Sequence, residues 1–303
     1  MNHSLYISDP GISKRGNSFY YNNDGTSVRN KDTLDRIRNI RVPPAWENVW
    51  YSSNPKCHVQ VHGTDSGGKK QYILSDSWIR SSKCKKYNRM KLFIRNIESF
   101  KKKIKINTWN SSKENVICLL FQLLIHTHIR VGNEKYAEKN STYGLTTLRQ
   151  KHFQDNTFTF VGKSGIEHSL RVPGNLVGFI HKLKLPGKND PLFWYLDNKK
   201  RNVINSEELN IFLKENMGEE YTCKDFRTYS ANILFIKAFL KNAKKGMNSK
   251  KTVLKSIDES ARFLGHTRCV SRKSYISENL INYCVDSFDS ASADSERSLF
   301  SKI

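Results

Sequence analysis

The sequence lacks any hydrophobic run close to the roughly 18 residues that a membrane-spanning helix requires. Residues 1–10 are polar and lack the apolar core of a secretory signal peptide, which argues against export. The six cysteines include no Cys-x-x-Cys pair, and none has a histidine at zinc-ligand spacing. We therefore expect an intracellular protein with reduced thiols and no structural metal.

Acidic residues are also scarce. The 303 residues include 28 acidic side chains against 51 lysines and arginines, which gives a formal charge of +23. Such an excess implies strong self-repulsion without a partner, and it predicts binding to a polyanion, with nucleic acid ahead of a membrane surface. A hydrophobic content of 37% still allows a packed core, and the length fits one large or two ordinary domains.

Residues 1–78 are predicted to form a small β-rich unit. Residues 58–62 and 71–74 alternate like paired strands, joined by a glycine-containing basic turn. Glycines let a backbone approach phosphates, and a glutamine can read a base edge. The candidate nucleic-acid contacts here are Lys69, Lys70, Gln71 and Tyr72. An ordinary solvated hairpin is the alternative interpretation.

A second domain is predicted over residues 79–285, followed by a polar tail over 286–303 that is rich in serine and aspartate and expected to be mobile or loosely packed. Residues 80–105 are strongly basic, with Glu98 as their one acid. We interpret them as a linker followed by an amphipathic helix with an apolar stripe and a positive outer face. A phosphate clamp and a merely solvated face are the two alternatives. The stripe contains Leu92, Phe93, Ile97 and Phe100.

A buried helix is predicted to begin at the capping residue Ser111, with Glu114 three residues later. Arg130 lies just past the end of this helix, where a rigid support leaves its guanidinium free to face a phosphate. A buried ion pair with Glu134 is the alternative. Residues 157–161 and 168–172 predict a hairpin with Lys163 at its tip, where a lysine is usually just solvated.

The last third of the chain contains two further candidates. A helix predicted from residue 222 carries Arg227 in its first turn, where helix N-termini favour anions. A basic linker over 241–255 and a short helix over 257–264 are predicted next, followed by His266 and, nine residues later, Tyr275. A tyrosine hydroxyl, with a normal pKa of about 10, is a poor nucleophile unless nearby cations stabilise a phosphate under attack. A surface tyrosine beside basic residues is the alternative.

Together these segments resemble the small type IB DNA topoisomerases of poxviruses, mimivirus-like giant DNA viruses and some bacteria. The matching stretches occur in the family's order, at residues 43–46, 68–72, 130–136, 144–148, 160–165, 224–229 and 264–275. Two positions depart from the poxviral pattern. Ser164 stands where those enzymes carry an aspartate, and Leu74 stands where they have an aromatic DNA contact.

The resemblance implies an α+β fold, with a small β-rich N-terminal clamp domain and a larger, mainly α-helical catalytic domain that contains a β-hairpin. It implies a monomer that relaxes supercoiled duplex DNA without ATP, metal or cofactor, through a 3′-phosphotyrosyl intermediate. The implied roles are nucleophile for Tyr275, general acid for Lys163, and phosphate stabilisation for Arg130, Arg227 and His266. The implied supporting DNA contacts are Lys135, Tyr136, Lys224 and Asn232.

Two other functions compete with this one. A tyrosine recombinase uses a similar arginine set, but recombinases typically show His-x-x-Arg where this chain has Lys224-x-x-Arg227. A non-catalytic DNA-packaging protein would account for the charge alone. For a viral enzyme, the expected compartment is the cytoplasm, the virion or the nucleus.

Overall fold

A computed structural model describes residues 9–303. Residues 1–8, the start of the predicted β-rich unit, lie outside the described residues. The chain divides after Lys86 into two compact units, the first built on a β-sheet and the second mainly helical. The predicted fold class is therefore confirmed. Among the described residues, no helix is both long and apolar enough to cross a membrane.

The first unit is built on a five-stranded antiparallel sheet with the strand order β2-β1-β3-β4-β5. The predicted pairing of residues 58–62 with 71–74 is confirmed, since β4 pairs with β5 and His62 lies opposite Tyr72. A small apolar core includes Ile12, Phe19 and Ile37. The elements are β1 (Ile12–Arg15), β2 (Ser18–Tyr21), α1 (Lys31–Asn39), β3 (Glu47–Tyr51), β4 (Val59–Thr64) and β5 (Lys70–Leu74).

Helix α2, Asp76–Lys103, begins in the first unit and ends in the second. The predicted linker at its start is wrong: no glycine or proline interrupts these residues, so the helix continues through them. Its buried side chains are Met90, Phe93, Ile97 and Phe100. Leu92, which was predicted to belong to this stripe, is exposed because it lies on another side of the helix.

The second unit contains most of the helices and two small sheets. The helices are α3 (Lys113–Thr127), α4 (Glu134–Asn140), α5 (Gly174–His181), α6 (Ser206–Met217), α7 (Cys223–Ala243), α8 (Ser249–Phe263), α9 (Arg268–Ser274), α10 (Glu278–Asp286), α11 (Phe288–Ala293) and α12 (Glu296–Ser301). The strands are β6 (Phe153–Gln154), β7 (Thr157–Val161), β8 (Glu167–Arg171), β9 (Trp194–Asp197) and β10 (Lys200–Val203).

Helices α3 and α7 supply much of the core of this unit. Nearly every residue of α3 from Val116 onward is buried, as its continuous apolar sequence predicts. The N-cap is Ser112, one residue after the predicted Ser111, and its hydroxyl accepts a hydrogen bond from the Asn115 N–H at 3.3 Å. Phe100 of α2 meets Phe121 of α3 edge to face at 5.1 Å, which ties α2 into the same core.

Two segments predicted to be irregular are helical. The basic linker predicted over 241–255 is wrong, because α7 continues to Ala243 and α8 begins at Ser249, with Val253 and Ile257 buried. The prediction of a mobile tail over 286–303 is also wrong. Helices α11 and α12 each bury one apolar residue, Ala291 and Leu299, so few apolar side chains are enough to anchor this polar segment.

Candidate active site

Arg227 is the most deeply buried of the five predicted catalytic residues, with only 8% of its surface exposed. It is the fifth residue of α7, so its predicted place in the first turn is wrong. Its Nη1 donates to the His128 carbonyl oxygen at 2.5 Å, and its Nη2 donates to the Leu264 carbonyl oxygen. The buried Nε has no partner among the described residues. A rigid guanidinium thus keeps one donor unused.

His266 brings the two arginines together. Its Nε2 lies 3.0 Å from Nη2 of Arg130 and 3.3 Å from Nη2 of Arg227. Since a guanidinium can only donate, Nε2 is assigned as the acceptor and Nδ1 as the protonated nitrogen, which lies 3.3 Å from Oγ of Ser271. Burial lowers the pKa of His266 to about 3, with further lowering by Arg227, Arg130 and Lys163. The imidazole is therefore neutral at pH 7.

Tyr275 caps the C-terminal end of helix α9 and is half-buried. Its ring stacks on the imidazole of His266, with 4.4 Å between ring centroids and 22° between planes. Its main chain is held by Asn232 of α7, whose Nδ2 donates to the Tyr275 carbonyl oxygen at 3.0 Å. Oδ1 of the same amide accepts from the Ser277 N–H at 3.0 Å. The phenol is thus kept beside the two arginines.

Arg130 lies in an extended segment after α3 that is fixed by a close backbone contact. Its carbonyl oxygen accepts from the Leu145 N–H at 2.7 Å. A Cβ on Gly144 would lie 2.6 Å from Cα of Gly132, so only glycine allows this approach. Glu134, the alternative partner considered for Arg130, pairs with Arg149 instead.

Lys163 lies at the tip of the β7–β8 hairpin, as predicted from sequence. The tip is closed by a hydrogen bond from the Gly162 N–H to the Ile166 carbonyl oxygen at 2.7 Å. Lys163 is exposed, and it lines a small recess together with Arg130 and Arg227. The structure thus brings all five predicted catalytic residues into one neighbourhood of the second unit.

The predicted DNA contacts in the first unit lie on the β4–β5 turn and along β5. Oδ1 of Asp65 accepts hydrogen bonds from the backbone N–H groups of Gly67 at 3.0 Å and Lys69 at 2.9 Å, which fixes the turn. Oδ2 of Asp65 accepts from Nε2 of Gln71 at 2.7 Å. Lys69, Lys70 and Tyr72 are exposed, while Gln71 is half-buried and engaged by this carboxylate.

Of the predicted contacts in the second unit, Lys135, Tyr136 and Lys224 are exposed and remain candidates. The structure contradicts the prediction for Asn232, which is 0% exposed. Its amide is occupied by main-chain groups of Tyr275 and Ser277, so it positions the tyrosine segment instead of touching DNA.

Ser271 and His168 were not singled out from the sequence. Ser271 is buried beside Nδ1 of His266, and His168 packs against the turn that precedes His266. A serine within a basic stretch and a histidine on a strand carry no local signal of such contacts, which form only in the folded chain. Among residues 9–303, no cluster of three or more histidine, cysteine or acidic residues could hold a metal ion.

Comparisons with known proteins complete the description of the site. Residues 75–297 match the family model of the eukaryotic DNA topoisomerase I catalytic core, and residues 18–65 match the bacterial DNA topoisomerase IB N-terminal domain. DNA topoisomerase 1B of Acanthamoeba polyphaga mimivirus is 37% identical over 90% of this chain and 85% of its own length. DNA topoisomerase 1 of rabbit fibroma virus is 30% identical over 83% of the chain and 81% of its own. DNA topoisomerase 1B of vaccinia virus (strain Copenhagen) is 27% identical over 82% of the chain and 81% of its own length.

Proposed function

The chain belongs to the type IB DNA topoisomerase family and is a DNA topoisomerase, and from this premise we propose that Tyr275 breaks and rejoins one strand of supercoiled duplex DNA. One observation carries the proposal: the Tyr275 ring stacks on His266, whose Nε2 is within hydrogen-bonding distance of Arg130 and Arg227. A phosphate bound at the arginines would then lie next to the phenol.

In the proposed cleavage step, the Tyr275 hydroxyl oxygen attacks the phosphorus and the bond from phosphorus to the 5′ oxygen breaks. The phenolic proton passes to water, and Lys163 gives a proton to the departing oxygen. The products are a 3′-phosphotyrosyl link and a 5′-hydroxyl. One phosphoester replaces another, so the intermediate keeps the bond needed for religation and no ATP is required.

The arginines are proposed to stabilise the negative charge that builds up on the non-bridging oxygens. Nη2 of Arg130 and Nη2 of Arg227 converge on one point. A phosphate between them would raise the proton affinity of His266, which could then donate from Nε2. Removal of one such donor costs about 10²- to 10³-fold in rate.

Several further properties follow from this proposal. While the strand is broken, the duplex beyond the break can swivel and lose superhelical strain. A single chain contains all five groups, which supports action as a monomer.

The viral relatives support a site of action in the infected cell's cytoplasm or nucleus, or in the virion. The tyrosine recombinase and the DNA-packaging protein are not favoured by the family match.

The experiment that tests the proposal is plasmid relaxation by Tyr275→Phe, in chelator and without ATP. Removal of the nucleophilic oxygen should abolish relaxation, while DNA binding in a gel-shift assay should persist. The matched control Tyr195→Phe alters another half-buried tyrosine and should relax plasmid normally. Relaxation at the wild-type rate by Tyr275→Phe would refute the proposal, and strand exchange between two sites would favour a recombinase.

A further inference from the structure

His168 lies close to the tip of the hairpin that carries Lys163. It lies on β8 opposite Phe160 of β7, and the two rings stack with centroids 5.1 Å apart. One edge of the imidazole faces Gly162 closely, since a Cβ added to that glycine would lie 2.7 Å from Cδ2 of His168. The ring therefore packs directly beneath the residue that precedes Lys163.

The same imidazole reaches the turn that precedes His266. A Cβ added to Gly265 would lie 2.9 Å from Cε1 of His168 and 3.3 Å from Cγ2 of Ile166. These two hairpin side chains thus meet the backbone of the residue next to His266. The tip itself, residues 163–165, is exposed. The position of the tip relative to His266 therefore depends on the contact that His168 and Ile166 make with Gly265.

His168 is uncharged in its position beside the two arginines. Burial lowers its pKa, and the positive charges of Arg227 and Arg130 lower it further. The ring is consequently neutral at pH 7, and it fills the gap between the hairpin and the turn without adding a third cation beside the arginines.

We propose that His168 is a positioning residue, whose ring between Gly162 and Gly265 sets the distance from Lys163 to the group of Arg130, Arg227 and His266. The inference rests on the proposed function, in which Lys163 protonates the departing 5′ oxygen. A general acid acts only within hydrogen-bond reach, about 2.6–3.2 Å, and a displacement of about 1 Å can cost about 10²-fold in rate.

The test compares two leaving groups in single-turnover cleavage. The cleavage position is first mapped on plasmid DNA through trapped covalent complexes. Two duplexes are then built around this position, one with oxygen and one with sulfur as the bridging 5′ atom. When the bond from phosphorus to sulfur breaks, the thiolate leaves without a proton, because a thiol has a pKa of only about 8.5. His168→Ala should cleave the oxygen substrate about 10- to 10²-fold more slowly and the sulfur substrate at nearly the wild-type rate.

Two further variants separate packing from other roles. His168→Phe keeps a flat neutral ring against Phe160 and should cleave both substrates within a few-fold of wild type. Gly162 has φ −97°, so its backbone accepts alanine, but the new Cβ would press on the His168 ring. Gly162→Ala should therefore show the same selective loss of rate on the oxygen substrate. The double variant Gly162→Ala/His168→Ala should cleave the oxygen substrate faster than Gly162→Ala alone, because the clash between the new Cβ and the ring is removed.

Lys163→Ala distinguishes failure of this inference from failure of the proposed function. Lys163→Ala should cleave the oxygen substrate more slowly than wild type and the sulfur substrate at nearly the wild-type rate. Equal loss on both substrates by Lys163→Ala would overturn the general-acid role itself. Suppose that Lys163→Ala behaves as expected. The positioning role of His168 is then overturned if His168→Ala and Gly162→Ala slow the cleavage of both substrates equally. It is also overturned if neither variant slows the cleavage of either substrate.

Discussion

Arg227 shows how a single residue can keep a positive charge inside the protein without neutralising it. Its guanidinium contacts the carbonyl groups of His128 and Leu264, which cap the C-terminal ends of α3 and α8. Helix C-termini carry partial negative charge, which offsets part of the desolvation cost. Burial and the neighbouring Arg130 lower the pKa of Arg227 to about 9, so it stays protonated at neutral pH. The charge remains available to a phosphate.

Asn232 gives a prediction at the same scale. Asn232→Ala should lower the free energy of unfolding by about 1–3 kcal/mol, because the Tyr275 carbonyl and the Ser277 N–H lose their partner. Cleavage should also slow by at least about 10-fold, since the nucleophile is less well fixed. Urea unfolding and single-turnover cleavage measure the two effects. Asn216→Ala, on an amide that bonds only within its own helix, is the control; cleavage by Asn232→Ala at the control's rate would contradict the positioning role.

His128 makes stability depend on pH. Burial lowers its pKa to about 4, with smaller effects of Arg227 and Lys237. Between pH about 6.5 and 4 the unfolded chain binds a proton that the folded chain does not, so this contribution to stability is full above pH 6.5 and is lost as the pH falls. Its slope is at most about 1.4 kcal/mol per pH unit.

His128→Asn should therefore make the loss of stability between pH 7 and pH 4 shallower. Asparagine suits the left-handed backbone at this position, where φ is +55°. Urea unfolding at pH 7, 6, 5 and 4 gives the slope, with His181→Asn as a control at an α5 residue whose side chain is exposed. An unchanged slope in His128→Asn would show that another group dominates acid destabilisation.

At the scale of single elements, the C-terminal helix α12 packs on α7. Leu299 is fully buried, and Phe300 stacks on Tyr229 of α7 with 6.1 Å between ring centroids. Leu299→Ala should lower the free energy of unfolding by about 2–5 kcal/mol, because it leaves a cavity in this contact. Urea unfolding measures the change, and Arg297→Ala on the exposed face of the same helix should leave stability within about 0.5 kcal/mol. A Leu299→Ala variant as stable as wild type would mean that the helix detaches in solution.

The strongest periodic patterns gave the correct elements, and the weak ones did not. Helix α3 and the β4–β5 and β7–β8 pairs were predicted because continuous apolar or alternating residues dominate those segments. Helices α11 and α12 were missed because their few apolar residues become informative only when α7 lies beside them. The five catalytic candidates could be named from motifs in the sequence, but the neutral state of His266 and the anchoring role of Asn232 depend on neighbours that are distant in sequence.

For the whole molecule, the charge of +23 predicts binding to DNA that weakens steeply with salt. Each phosphate contact contributes about 0.9 to the slope of log affinity against log salt. Replacing both Lys69 and Lys70 with alanine should therefore reduce the slope by up to about 1.8, in binding titrations over increasing salt. Lys14→Ala, on β1 and three strand positions from β5, is the control and should leave the slope unchanged. An unchanged slope in the double variant would exclude these two lysines as phosphate contacts.

The anchoring of the tyrosine segment has a mechanical consequence. In the proposed covalent intermediate, a swivelling duplex pulls on the protein through one phenol oxygen. Tension at that point passes from the Tyr275 backbone through Asn232 into α7, the helix that also carries Arg227. The tyrosine and the arginine that would contact the phosphate are thus held by the same helix, so drag on the DNA shifts them together. The phosphotyrosyl group would then keep its arginine contact until the 5′-hydroxyl returns for resealing.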